Sequence, residues 1–368
     1  MKLTVSQTEL QIKLNEAIRF IASKSSAPVL SGFYFEVEAS QLTIRASTGS
    51  VVYQTSLPCS AAEPGTIVVP ASLFLSIFKS LEPGEVELFV ENELLVLSQG
   101  KSRSEIATLP TDGFPTLKNF SNAQNFVLPV AEFVQNGKKV LIAASGDETK
   151  PVLTALALET AQPNALVATD GFRLFRLQTD LSLDQKGMFL LPARIVKDLF
   201  GILEKAEQTT IQCTTDEKRQ ELLFQFGDTS LQVSAIQGEF PPYQSIIPES
   251  CAFEFTVDRE LLQQKVNQAM IFAREFSSIV VFWVEDNELV IASQANVRGK
   301  TEARLPLLSV EGKPVKFACN GKYVLDFLSS VENEAILIQG NESLKPVLLR
   351  IPEDPSYLYL IMPFKLSE

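Results

Sequence analysis

In the stretch "ATDGFRL", Ala168 to Leu174, an acid, Asp170, stands three residues before a base, Arg173, across the turn dipeptide Asp170-Gly171. A carboxylate and a guanidinium at that spacing could do acid or anion chemistry. They also make a capped turn followed by an arginine, which is what Asp-Gly between apolar runs ordinarily builds. "GKS" at Gly100 to Ser102 hints at a phosphate loop, but the first glycine of G-x-x-x-x-G-K-S would fall on Leu95, inside an apolar strand. "ASGDETKP" at 144–151 sets Asp147 and Glu148 beside Lys150. Hard cations need several converging oxygens, so this reads as a solvated loop. No G-x-G-x-x-G opens a helix after a strand, so no dinucleotide site is expected.

Cys59, Cys213, Cys251 and Cys319 are scattered, with no C-x-x-C pair and no histidine in the chain to complete a zinc site. They read as reduced thiols. The missing histidine also removes Ser-His and Cys-His nucleophiles and the usual neutral-pH base. No catalytic residue, metal or cofactor is expected. At 368 residues and 45% hydrophobic content the chain can build two or three cores. It has no run of about 18 apolar residues, and "MKLTVSQTEL" lacks the build of a signal peptide. A cytoplasmic address and no membrane partner are the expectations.

The elements that must carry these residues repeat. "LTVSQTELQIKLNEAI" from Leu3, "FVLPVAEFVQNGKKVL" from Phe126 and "FTVDRELLQQKVNQAM" from Phe255 align without gaps. Each is an extended lead-in followed by a helical apolar stripe: Leu10, Leu14, Ile18; Phe133, Leu141; Leu262, Val266, Met270. A second set, "VPASLFLSIFKSL" from Val69, "LPARIVKDLFGIL" from Leu191 and "CNGKYVLDFLSSV" from Cys319, keeps nearly the same offsets. Proline stands at the helix start in the first two, and Asn320 is the expected cap in the third. Between the helices, "FYFEVEASQLTIRAS", "LTALALETAQPNALVAT" and "IVVFWVEDNELVIAS" read as hairpins. Further strands such as "GEVELFVENELLVLSQG" and "QELLFQFGDTSLQVSAI" follow each second helix. This is an α+β chain of three domains, 1–120, 126–246 and 253–368, each with two helices on strand-rich sheets. "ATDG" falls where repeat one has "ASTG" and repeat three "ASQA", so it is a shared corner. The following "FRL" is particular to repeat two.

The net charge of −12 argues against a nucleic-acid partner until its distribution is counted. The six helical segments hold thirteen Lys and Arg against nine Asp and Glu, a surplus of four, which leaves −16 elsewhere. If the helices share one surface, that surface is positive and suits sequence-independent phosphate contact. The closing "YLYLIMPFKLSE" is unusually apolar. Tyr357 to Ile361 reads as a last strand, and Met362, Pro363 and Leu366 as groove residues.

Taken together, the three repeats, "ATDGFRL", "GEFPPYQSIIP", "CNGKYVLDFL" and "YLIMPFKL" resemble the bacterial DNA polymerase III β-subunit family, the β sliding clamps, from Met1 to Leu366. The resemblance implies a head-to-tail homodimeric ring of six domains, helices lining the hole, that encircles double-stranded DNA without reading its sequence and has no catalytic site. Implied partners are the DNA polymerase III α subunit, a clamp loader, and other polymerases and repair proteins carrying clamp-binding linear motifs. Their implied pocket is Leu153, Thr169, Gly171, Phe172, Arg173, Leu174, Pro241, Ser245, Ile246, Phe276, Asn320, Tyr323, Leu344, Leu360, Ile361, Met362, Pro363, Phe364, Lys365 and Leu366. Arg173 would orient the peptide while Leu174, Ile246, Leu344 and Met362 receive its apolar side chains. Lys24, Lys79 and Arg194 match basic inner-surface positions. The dimer contact would join the strand around Lys101 to Thr108 with Met270 to Phe276 and the strand from Asn296 to Arg304. Phe172 replaces a usual histidine, and Ser245 and Lys365 stand where arginine is common, leaving a less polar rim. The residue patterns alone also admit a catalytic cleft around Asp170 and Arg173, or a monomeric binding scaffold.

Overall fold

The computed structural model describes the chain except residues 23–26, 121–122, 161–162, 180–186, 217, 219, 275–276, 294–298 and 366–368. Repeat one runs β1 (Lys2–Ser6), α1 (Gln7–Ala17), β2 (Gly32–Glu38), β3 (Gln41–Ser47), β4 (Val51–Pro58), β5 (Ser60–Glu63), β6 (Gly65–Pro70), α2 (Ala71–Phe78), β7 (Glu85–Glu91), β8 (Leu94–Gln99) and β9 (Ser102–Ala107). Repeat two runs β10 (Gln124–Pro129), α3 (Val130–Val140), β11 (Ala155–Glu159), β12 (Ala165–Thr169), β13 (Arg173–Gln178), β14 (Met188–Pro192), α4 (Ala193–Leu203), β15 (Thr210–Thr215), β16 (Glu221–Phe226) and β17 (Thr229–Ser234). Repeat three runs β18 (Phe253–Asp258), α5 (Arg259–Ala273), β19 (Ile279–Glu285), β20 (Glu288–Ser293), β21 (Glu302–Pro306), β22 (Ser309–Gly312), β23 (Phe317–Asn320), α6 (Gly321–Ser330), β24 (Ala335–Gly340), β25 (Val347–Ile351) and β26 (Asp354–Ile361).

Local chemistry explains the boundaries. The side chains of Ser6, Asp258 and Asn320 accept backbone N–H groups at the starts of α1, α5 and α6. Pro70 sits at the cap of α2, one position earlier than a proline inside the first turn. Asn92-Glu93 and Asp286-Asn287 take positive φ at both positions, the paired left-handed turn that two-residue hairpins favour. The apolar stripes are buried as their spacing requires, with one exception. α1 gives way to a tighter 3₁₀ turn over Ile18–Phe20, which rotates the stripe so that Ala17 and Phe20 are buried and Ile18 is only half-buried.

The strands do not stay within their repeats. An eight-stranded sheet has the order β10-β15-β16-β17-β4-β3-β2-β6, and a nine-stranded sheet the order β14-β11-β12-β13-β26-β25-β24-β18-β22. β17 pairs antiparallel with β4, Leu231 opposite Tyr53, and β26 pairs with β13, Tyr359 opposite Phe175. A five-stranded sheet, β5-β1-β7-β8-β9, and a four-stranded one, β21-β20-β19-β23, complete the set among the described residues.

Two compact units result, Met1–Ala131 with Lys197–Ala235, and Glu132–Val196 with Ile236–Glu368. They cut across the repeats because each long sheet takes half of repeat two. The first unit closes its join with a buried hydrogen bond of 3.0 Å between the Thr55 and Thr229 hydroxyls. The second stacks Phe327 on Tyr359 at 4.9 Å and sets Phe175 edge-on to Tyr359 at 5.3 Å. Among the described residues no helix is long and apolar enough to cross a membrane.

Candidate docking site

The "ATDGFRL" corner lies between β12 and β13 and is held by its own short side chains. Thr169 Oγ1 donates to Arg173 O at 2.6 Å and accepts from Gly171 N at 3.1 Å. Asp170 Oδ1 accepts from Phe172 N at 2.9 Å and Arg173 N at 3.0 Å. Gly171, at φ +91°, takes the left-handed turn that disfavours a side chain. In repeat one Ser47 plays the part of Thr169, donating to Val51 O at 2.7 Å and accepting from Gly49 N at 3.0 Å. The shared corner is therefore a shared hydrogen-bond pattern. Residues 294–295 of the repeat-three counterpart lie outside the described residues.

Arg173 turns inward, with 8% of its surface exposed. Its Nε donates to Asp170 Oδ2 at 3.0 Å, and its Nη1 to Asp326 Oδ2 at 2.6 Å and Tyr359 Oη at 3.3 Å. The guanidinium lies 4.3 Å from the centroid of the Tyr323 ring. Burial alone would lower its pKa, but the hydrogen bonds it gives to Asp326 and Tyr359 and the charge of Asp170 outweigh that and raise it, so the charge persists. Burial raises the Tyr359 phenol, which stays neutral and donates to Tyr323 O at 3.0 Å. Neither Asp326 nor Tyr359 was foreseen from sequence as part of this arrangement. The signal for Asp326 was its place three residues after Tyr323, on one helix face.

Around the corner the structure brings together most of the expected pocket residues. Met362 N donates to Phe172 O at 2.8 Å, and Phe364 N to Ala318 O at 2.7 Å, so the tail runs from the corner toward Asn320 and α6. Leu344 is in the loop between β24 and β25, at the sheet end where Val347 pairs with Ile361. Ser245 and Ile246 sit on a 3₁₀ turn, Tyr243–Ile246, whose Tyr243 packs in the core with Leu174, Leu348 and Leu360. Leu153 reaches within 4.0 Å of where a side chain on Gly171 would begin. Exposure divides these residues. Phe172, Ile246 and Leu344 are 55%, 44% and 53% exposed, whereas Leu174 is 1% exposed and belongs to the core. Phe276 and Leu366 lie outside the described residues.

The first unit holds a cleft of about 320 Å³ that is the repeat-one counterpart of this place. Gly49 and Val52 stand where repeat two has Gly171 and Leu174, and Phe114 where it has Phe240. Its floor is polar where the other is apolar. Val52 pairs with Gln232, whereas Leu174 pairs with Leu360. Glu221 accepts from Lys118 Nζ at 2.6 Å, Ser234 Oγ at 3.1 Å and Gln232 Nε2 at 3.1 Å. The cleft thus ties its polar groups to one another beside Val52, Phe114 and Pro115, whereas the second junction is bordered by the exposed apolar side chains Phe172, Ile246 and Leu344.

Lys79 is exposed just past the end of α2, Arg194 is exposed in the first turn of α4, and Lys24 lies outside the described residues. In the region expected for self-association, Ile271 on α5 is 69% exposed, an unusual state for isoleucine.

Comparison with known proteins covers almost the whole chain. Models of the N-terminal, central and C-terminal domains of the DNA polymerase III beta subunit match residues 1–118, 127–242 and 244–365. The beta sliding clamp of Synechocystis sp. is 26% identical, with all of both chains covered, and that of Bacillus subtilis 24% identical over 99% of this chain. Among solved structures, the DNA polymerase III beta subunit of Thermotoga maritima superposes with a TM-score of 0.92 at 27% identity, covering 100% of both chains. The Bacillus subtilis DNA polymerase sliding clamp gives a TM-score of 0.93 at 23% identity. Three clamp domains in one order, repeated in sequence, in sheet register and in fold, place this chain in the DNA polymerase III beta subunit family, the bacterial DNA sliding clamps that serve polymerase processivity without being enzymes.

Proposed function

We propose that two copies of the chain join head to tail into a ring around duplex DNA, and that the exposed apolar site beside "ATDGFRL" receives short linear motifs of polymerase and repair partners. The observation that carries the ring is the pair of sheet ends left by the repeat. In the two long sheets, the strand following each second-helix sheet, β17 or β26, pairs with the third strand of the neighbouring hairpin set, β4 or β13. The strands in the same positions, β9 and β21, end their sheets instead. An open edge of this kind invites pairing. Each copy offers one β9 and one β21, so two copies form two identical junctions and leave neither edge open.

The register of that junction follows from the repeat. Leu3 leads through Leu88 and Leu97 to Ser104, just as Phe126 leads through Cys213 and Phe224 to Leu231. Ile67 leads through Phe35 and Ile44 to Thr55, and its repeat-three counterpart Phe317 leads through Phe282 and Ile291 to Ala303. Since Thr229 faces Thr55, Ser102 would face Ala303. Arg103 would then face Glu302, and Glu105 would face Lys300. Lys101 would face Arg304, whose charge is already met by Glu285 at 2.7 Å and Glu302 at 3.0 Å. Exposed Ile271 gives the same interface an apolar element.

Lys24, Lys79 and Arg194 act as phosphate-positioning contacts without sequence preference. The topology does the holding, since tight contacts would slow sliding. The α subunit of the polymerase, the clamp loader and repair proteins use the apolar site in turn. Sedimentation equilibrium at micromolar concentration tests the ring first. It is expected to give twice the 40.6 kDa chain mass, and a monomer throughout that range contradicts it.

A further inference from the structure

Asp170, Asp326, Tyr359 and the Tyr323 ring surround the Arg173 guanidinium, whose Nε and Nη1 donate to the two carboxylates and the phenol. The corner that carries Gly171 and Phe172 and the helix that carries Tyr323 are over 140 residues apart in sequence. Their charged link is the Arg173–Asp326 pair, at 2.6 Å, with side chains 9% and 28% exposed. Asp170, whose carboxylate caps the same corner, also accepts a hydrogen bond from the Tyr323 phenol, but that contact sets a charge against a neutral group and not against an opposite charge. Asp326 lies on the opposing element and carries no expected contact with a partner.

Building on the docking site proposed above, we infer that Asp326 is a positioning residue for partner binding. Through Arg173 it indexes the 169–172 corner to α6, and so sets the spacing between Phe172 with Met362 on one wall and Tyr323 with Asn320 on the other. A groove whose walls are preset spends less of a peptide's binding energy on ordering itself. The chain-specific consequence is that Arg173 serves affinity from beneath the site, whereas Phe172 and Ile246 meet the peptide.

The test is a double-mutant cycle on the full-length chain, read by fluorescence anisotropy with a labelled peptide spanning the clamp-binding motif of a replicative polymerase. Asp326→Asn keeps the shape and removes the charge; it is expected to weaken the peptide about tenfold. Asp326→Glu is expected to restore affinity to within about twofold of the original. Arg173→Gln should weaken binding to a similar degree, and Arg173→Gln with Asp326→Asn no more than the worse single change. Sedimentation mass should be unchanged in all of them. Additive losses, or full affinity in Asp326→Asn beside a weakened Arg173→Gln, overturn the inference, because Arg173 would then act on the peptide without Asp326. Loss of affinity in Asp326→Asn accompanied by loss of the dimer and no recovery in Asp326→Glu marks general damage and also overturns it. If the unaltered chain fails to bind the peptide, the docking site itself falls, and this inference with it.

Discussion

Ile246→Asp, and separately Leu344→Asp, should each weaken a partner peptide by about 100-fold while leaving the fold and the dimer intact. Both side chains are about half exposed in the free chain, so an aspartate there is hydrated and costs the folded state little. Once a peptide covers the site, the same carboxylate is buried against apolar side chains without a partner. The contrast with Leu174 is what makes the experiment informative. The family resemblance names Leu174 with Ile246, Leu344 and Met362 as receiving the peptide's apolar side chains, yet Leu174 packs with Leu348, Leu358 and Leu360 inside the core. An aspartate there would bury a charge in the folded chain itself, and loss of binding would report unfolding. Fluorescence anisotropy with the labelled peptide, beside sedimentation and thermal unfolding, separates the two cases. Unchanged peptide affinity in both Ile246→Asp and Leu344→Asp removes the site.

Arg103→Glu should dissociate the ring, and adding Glu302→Arg should bring it back. The register deduced from the repeats sets these residues opposite one another, and a ring contains the pair twice, so each reversal acts at both junctions. Like charges placed opposite each other at an interface are strongly disfavoured, and about 1.5 kcal/mol per junction raises the dissociation constant about 100-fold. In the single chain Arg103 bonds Glu91 at 2.7 Å and Glu105 at 3.1 Å, but all three are well exposed and such pairs contribute little. The reversal therefore leaves the protomer folded. Sedimentation of Arg103→Glu, Glu302→Arg and the combined variant reads the outcome. Monomers for the single changes and dimers for the pair are expected, and a dimer of undiminished stability in both single variants refutes the register.

Much of the fold was legible because its signals are local. The aligned helices, the Asn320 cap, the two-residue turns and the "ATDG" corner each depend on residues within a few positions of one another. The stripe Leu10, Leu14, Ile18 failed at its last member because a 3₁₀ turn changes the angular spacing, which periodicity assumes constant. The joins were not legible. Nothing in β17 announces β4 as its neighbour, and nothing in β26 announces β13, because long-range pairing leaves no mark on adjacent residues. Without those joins the burial of Leu174 could not be seen. Nor could the inward turn of Arg173 be seen from the capped turn it follows, since Asp326 and Tyr359, the groups it bonds, lie far along the chain.

The proposed docking site bears on the same repetition. The first join holds a cleft in which Glu221, Gln232 and Ser234 form a hydrogen-bonded polar network, and the second is bordered by the exposed side chains of Phe172, Ile246 and Leu344 above a core that includes Leu348 and Leu360. On the docking proposal, that difference in side chains is what directs a partner to the second join.

The central claim is that the chain holds DNA by enclosing it, and retention on a nicked circle tests this most directly. The protein is assembled on nicked circular DNA by a bacterial clamp loader with ATP, separated from free protein in salt high enough to screen phosphate contacts, and the circle is then cut once with a restriction enzyme. Enclosure predicts that the protein stays with the intact circle and leaves as soon as the DNA is linear. Equal retention before and after the cut, or release from the intact circle as salt rises, would mean that the chain adheres to DNA and does not encircle it.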